Sequence, residues 1–250
     1  MLRIGCVKYL NARPLIYGWS GAVDFDHPAA LCRKLQRGDL DVALVSSLEF
    51  LRRPFYRIVD RISISSRGRV YSVIVAHRQE LPAVRQIQLD PASETSVALL
   101  KCLLAEHGLN PQVVFRDRHP ADTAARLLIG DQAIRFRQKH SDYRLWDLGE
   151  EWKNVINLPF VFALWLIRPE INNAQQIAED LRQLRDHNLK NHNDLISTQS
   201  EVSPAFCRKY YQEHLFFDFG EREKAGLREF HRRCLLNKID VAPDLRLNLV

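Results

Sequence analysis

The run LPFVFALWLIR, residues 158–168, carries no charge before its last residue. It is too short to cross the ~30 Å hydrocarbon core of a bilayer as a helix, but it suits a central strand buried on both faces. Such a strand needs a covered sheet, which points to an α/β chain. With 250 residues, either one large domain or two small lobes can be filled. The 46% apolar and 26% charged composition is that of an ordinary globular protein, so the chain is expected to fold.

The rest of the sequence supports that frame. Leu2 to Val7 suits a buried first strand ending by Tyr9, with Asn11 and Pro14 marking a turn. A helix over Pro28–Arg37 stopped by Gly38, then a strand over Asp41–Val45, makes a β-α-β unit and favours a parallel sheet. Ser46 and Ser47 then lie at a strand's carboxyl end, where open α/β sheets hold ligands. Val70–Ala76 reads as a third strand with Ser72 inside it, and Leu81-Pro82 breaks the pattern.

A second β-α-β series follows. A strand from Ile87 to Asp90 leads into a helix reaching His107 and closed by Gly108, then a strand at Val113–Phe115, a helix over Ala121–Leu127, and Leu128 to Asp131 at another strand end. The apolar run 158–168 would return the chain to the first lobe. Lobe one is therefore expected over residues 1–83 and 160–250 and lobe two over 84–159, with hinges near 77–84 and 156–160. Helices are expected over Ala174–Lys190, Ser203–Phe216 and Glu221–Asn237.

Charge and cysteine usage exclude several classes. The net charge of +6 is spread among acidic residues with no basic run, which argues against nucleic acid and fits a surface that attracts small anions. Cys6, Cys32, Cys102, Cys207 and Cys234 are odd in number and hold no C-x-x-C pair, so neither a disulfide framework nor a zinc site is indicated. The histidines show no H-E-x-x-H spacing, and there is no G-x-G-x-x-G, phosphate loop or nucleophile elbow. The N-terminus lacks an apolar signal region, so a cytoplasmic protein with no metal, cofactor or membrane partner is expected.

The candidate site residues are small and polar. In Asp90-Pro-Ala-Ser-Glu-Thr-Ser-Val, the hydroxyls of Ser93, Thr95 and Ser96 stand at a helix start, either as an anion site for a carboxylate or as ordinary caps. Asn11 is either a turn residue or an uncharged group that orients a substrate. Gly130-Asp131 permits close backbone approach, with Asp131 better read as a structural cap.

Taken in order, VKYLNARPLIYG, LDVALVSSLEFLRRP, ISISSRGRVYSVIV, LDPASETSVALLK, LLIGDQAIR and DLGEEWKNVINLPFVFALW resemble the menaquinone-biosynthesis family of chorismate dehydratases from the futalosine route. YYQEHLFFDFGEREKAGLREF resembles that family's closing helices. The resemblance implies a two-lobed type II periplasmic-binding-protein-like fold with a ligand cleft between the lobes. It also implies a hydro-lyase that removes water from chorismate to give 3-[(1-carboxyvinyl)oxy]benzoate without a cofactor. By the same resemblance Asn11 and Ser72 are the catalytic polar groups and the helix start with Ser93, Thr95 and Ser96 binds a substrate carboxylate; Tyr9, Ser46, Ser47, Gly130, Asp131, Pro159 and Phe160 complete the candidate substrate contacts. Where the family has Thr-Gly before its LPFVF motif, this chain has Ile156-Asn157; asparagine accepts positive φ, but a hydroxyl is lost.

Three other functions compete. A non-catalytic binding protein for a small carboxylate shares the fold. The related 1,4-dihydroxy-6-naphthoate synthase also shares it but matches these motifs less well. A transcription-factor effector domain would need an attached helix-turn-helix, and none is expected ahead of the first strand.

Overall fold

Pro28 sets the backbone for a first helical turn and Gly38, at φ 81°, closes the helix in the left-handed conformation, so the Pro28–Arg37 helix has the boundaries its sequence signals. In the computed structural model the described residues are 2–89, 94–115, 125–197 and 202–250. Strand β1 (Ile4–Cys6) leads through a 3₁₀ turn (Leu10–Leu15) to β2 (Val23–Phe25), α1 (Pro28–Arg37), β3 (Val42–Ser46), α2 (Ser47–Arg52) and β4 (Arg57–Ser66). Next come β5 (Val73–His77), β6 (Gln86–Leu89), α3 (Glu94–Glu106), β7 (Gln112–Phe115), β8 (Ala125–Ile129), α4 (Gly130–Lys139), β9 (Arg144–Asp147) and α5 (Leu148–Ile156). Strand β10 (Phe160–Ile167) precedes α6 (Ala174–Lys190), α7 (His192–Ser197), α8 (Pro204–Lys209), a π-helical turn (Tyr210–His214) and α9 (Glu221–Leu236).

Among the described residues the strands form two five-stranded sheets. The first runs β2-β1-β3-β10-β4, and β10 lies antiparallel between β3 and β4. Seven of its eight residues are buried, as its unbroken apolar run requires. The outer edge of β4 is not left open: Ser65 exchanges backbone bonds with Phe216, and Ile58 with Asn248 and Val250. The second sheet runs β7-β6-β8-β5-β9.

Three expectations need correction. Residues 73–77 belong to the second sheet, pairing antiparallel with β8 and β9, so the chain first crosses between lobes in residues 67–72 and not near 77–84. An apolar strand states that it is buried but not which sheet it joins. Strand β10, which opens at Phe160, belongs again to the first sheet. Residues 125–127 form strand β8 instead of the end of a helix, with Arg126 half-buried between buried Ala125 and Leu127; residues 121–124 lie outside the described set. Ser72 precedes β5 instead of lying inside it. No helix among the described residues is long and apolar enough to cross a membrane.

The last helix also links the two lobes. Arg233 of α9 bonds Glu229 at 2.8 Å and pairs with Glu106 of α3, while Arg232 holds Glu229 from the other side. Bonding to Arg232, then Arg233, draws the Glu229 carboxyl from an ordinary 4.5 down to about 2. A carboxyl pKa depressed by folding adds stability that is present above pH 4.5 and is lost as pH falls towards 2. Glu229→Gln is therefore expected to lower the stability measured by urea denaturation at pH 7 by about 1 kcal/mol, since Glu229 and Arg233 are half-buried but Arg232 is open to solvent. The gap from the parent should close as the titration approaches pH 2.

Candidate functional site

The cleft lies where the carboxyl ends of β1 and β3 face those of β8 and the start of β5. Its walls are Val7, Tyr9 and Asn11 after β1, Leu44 to Ser46 of β3, Ile64 of β4, and Phe162 and Ala163 of β10 from the first lobe. The second lobe adds Ser72, Val73, Ser96, Ile129 and Gly130. About 590 Å³ of space lies between these walls, the open solvent at the mouth included. No carboxylate, imidazole, ammonium, guanidinium or thiol lines it among the described residues; its polar groups are hydroxyls, backbone and one carboxamide.

That carboxamide is Asn11, on the 3₁₀ turn that follows β1. Its Oδ1 is buried and accepts no hydrogen bond from the described residues. Burying such an acceptor without a partner costs about 1–3 kcal/mol, so its persistence needs an explanation, and a ligand donor entering the cleft provides one. The turn is held from both sides. Leu10 N–H donates to Asp131 Oδ1 at 2.9 Å, and the Tyr211 hydroxyl donates to Leu10 O at 3.0 Å. Asp131 thus braces the Asn11 turn across the lobes.

Ser72 is delivered by a strained approach. Tyr71 stands at φ 69°, a conformation that costs a non-glycine residue about 1–3 kcal/mol. Asp147 compensates, accepting from Val70 N–H at 3.0 Å and Tyr71 N–H at 2.8 Å while it also caps α5 through Glu150 N–H. Arg137 stacks its guanidinium 4.2 Å from the Tyr71 ring centre and reaches Asp147 at 3.4 Å. Beyond Ser72, its carbonyl accepts from Gly130 N–H at 2.8 Å. Gly130 itself has φ 55°, and a Cβ there would sit 3.2 Å from the Tyr9 ring, so this side of the cleft admits no side chain without movement.

The helix-start hydroxyls divide. Ser96 lines the cleft. Thr95 instead reaches across to the first lobe, bonding the Ser46 hydroxyl and accepting from Leu48 N–H at 3.1 Å. It therefore meets the start of α2 and does not cap its own helix. Ser47 donates to Val161 O at 2.7 Å and is fully buried, which removes it from the cleft surface. Ser93 lies outside the described residues.

Pro159 and Phe160 also fall away from the cleft. Phe160 packs edge-on against Trp152 and Phe230 in the core. A register irregularity between Val161 and Ala163 lets Phe162 and Ala163 form the wall in its place. Asn157 has φ 61° and ends α5 in the left-handed conformation, so the turn survives its departure from the glycine of the related motif. Tyr210 and Tyr211 carry no local signal of a place behind the cleft, whereas Asp147, three residues before Glu150, signals a helix cap, and Phe162 lies in the apolar run without a sign of which face it takes.

A family model described as menaquinone biosynthesis matches residues 2–235. The chain belongs to this family. As a member of the menaquinone-biosynthesis family, it is 30% identical over 254 residues to the chorismate dehydratase of Thermus thermophilus, which covers 91% of this chain and 93% of that protein. Among solved structures it is similar to a protein of Archaeoglobus fulgidus, with TM-score 0.74, 16% identity, and 95% and 98% of the two chains covered. It is also similar to the periplasmic aliphatic sulphonate binding protein SsuA of Escherichia coli, with TM-score 0.65, 12% identity, and 99% and 94% covered. At these identities the structural matches establish the periplasmic-binding-protein-like fold and nothing finer.

Proposed function

We propose that this member of the menaquinone-biosynthesis family is a chorismate dehydratase, a hydro-lyase that converts chorismate to 3-[(1-carboxyvinyl)oxy]benzoate in the cytoplasm. The observation that carries the proposal is the unpartnered Asn11 Oδ1 in a cleft whose other polar side chains are the hydroxyls of Tyr9, Ser46, Ser72 and Ser96 and whose remaining side chains are apolar. The identity to the Thermus thermophilus enzyme supports the substrate. Five buried free cysteines suit a reducing compartment.

The chemistry fits a site without a side-chain base. The proton leaves the ring carbon that bears the enolpyruvyl ether, its C–H electron pair becomes the third ring double bond, and the hydroxyl on the neighbouring carbon departs as water. No carboxylate or imidazole lines the cleft among the described residues, so the enolpyruvyl carboxylate of the substrate takes the ring proton and passes it to the departing hydroxyl, which leaves as water. Asn11 and Ser72 orient the substrate, and Ser72 donates to the departing hydroxyl. Gain of aromaticity supplies the driving force, and positioning lowers the barrier.

Incubating the purified protein with chorismate and following the mixture by chromatography and mass tests the assignment. An aromatic product one water lighter than chorismate is expected. Chorismate recovered intact, whether or not it binds, would leave a binding protein for a small carboxylate and refute the dehydratase.

A further inference from the structure

Behind the cleft, α8 runs into the π-helical turn Tyr210–His214, where Leu215 N–H reaches back five residues to Tyr210 O at 3.1 Å. Single π-helical turns of this kind recur at functional sites. Tyr210 is fully buried, its ring stacked 5.6 Å from Phe206, and its hydroxyl lies 2.6 Å from Ser72 Oγ. Neither the family match nor the candidate residues read from sequence assign this tyrosine a role.

The direction of that bond matters. A phenol is a stronger acid than an aliphatic hydroxyl, so between the two Tyr210 is the donor and Ser72 the acceptor. Burial pushes the Tyr210 phenol further up, so it keeps its proton across the working range. With one lone pair engaged, the Ser72 hydrogen is turned away from Tyr210. The serine lies on the cleft wall, and its backbone is fixed by the Gly130 bond and the braced Tyr71. A hydroxyl that accepts from a buried donor is also a better donor itself.

We infer that Tyr210 is a positioning residue for the elimination: its O–H donates to Ser72 Oγ and so aims the serine's own hydrogen into the cleft, at the departing hydroxyl. Tyr210 does not line the cleft and acts only through Ser72. The inference rests on the role given to Ser72 above.

The test is steady-state kinetics on Ser72→Ala, Tyr210→Phe and the double variant, with thermal melts of each. Ser72→Ala is expected to be slow. Tyr210→Phe keeps the ring stack and is expected to lower kcat roughly ten- to hundred-fold, with KM changed by less than about twofold. In the Ser72→Ala background the same change should cost nothing further, because the serine it aims is gone. Equal losses in both backgrounds, or full turnover in Tyr210→Phe alone, would overturn the inference and leave the role of Ser72 intact. Full turnover in Ser72→Ala would remove that role, and the inference with it. If Tyr210→Phe folds poorly, 3-fluorotyrosine at position 210 reads the same contact: the sharper donor is expected to alter kcat, and an unchanged kcat refutes the link.

Discussion

Asn11→Ala is expected to lower kcat for chorismate by roughly 100- to 1,000-fold, the loss seen when one preorganised polar group is removed from a water-poor site. The same variant is expected to be as stable as its parent or slightly more so. The two effects part because of one atom: Asn11 Oδ1 is buried without a partner, so the folded protein carries its desolvation cost and gains no bond in return. Removing it takes nothing from the Leu10 peptide, which Asp131 and Tyr211 hold through backbone atoms. Urea midpoints and initial rates measured on one preparation check both halves. A variant that loses stability in step with activity would show that Asn11 serves the turn and not the substrate. Asn11→Asp adds a second reading, since a charge beside a dianionic substrate should weaken binding where a neutral carboxamide does not. Full turnover in that variant would count against a purely orienting role.

The elements governed by local chemistry were legible in the sequence. Pro28 and Gly38 bound α1, and the apolar period of residues 174–190 marked α6 over the range observed. So was the general position of the site, because Ser46, Asn11 and Gly130 lie where strands end. Partnership was not legible. Val73 to Ala76 is apolar whichever sheet it joins, and only pairing with β8 and β9 places the first crossing at residues 67–72. Thr95 reads as a cap until Leu48 N–H is found on its hydroxyl. Tyr210 is 138 positions from Ser72, and no periodicity links two residues so far apart. The irregularity that exchanges Phe160 for Phe162 on the cleft wall likewise depends on how β10 meets β4.

Gly226→Ala is expected to destabilise the protein by about 3 kcal/mol or more and to lower activity with it, although the residue touches no part of the cleft. Gly226 is buried in α9, and a Cβ there would lie 2.0 Å from Pro159 O. That carbonyl is backbone, so no flexible side chain can swing aside; either the helix or the second crossing must move. Pro159 immediately precedes β10, the strand that places Phe162 and Ala163 on the cleft wall and packs Phe160 against Phe230 of α9 itself. Moving the crossing shifts that wall, and moving α9 opens the aromatic packing and strains the Arg233 link to Glu106 in the other lobe. Either response couples stability to turnover, unlike the separation expected at Asn11. Gly68, in the first crossing, supplies the contrast: a Cβ there meets nothing within 4 Å, and Gly68→Ala should stay within about 0.5 kcal/mol of the parent. Urea denaturation of the two alanine variants beside the parent measures the difference. A Gly226→Ala protein as stable as Gly68→Ala would mean that α9 sits further from the crossing than the structure places it.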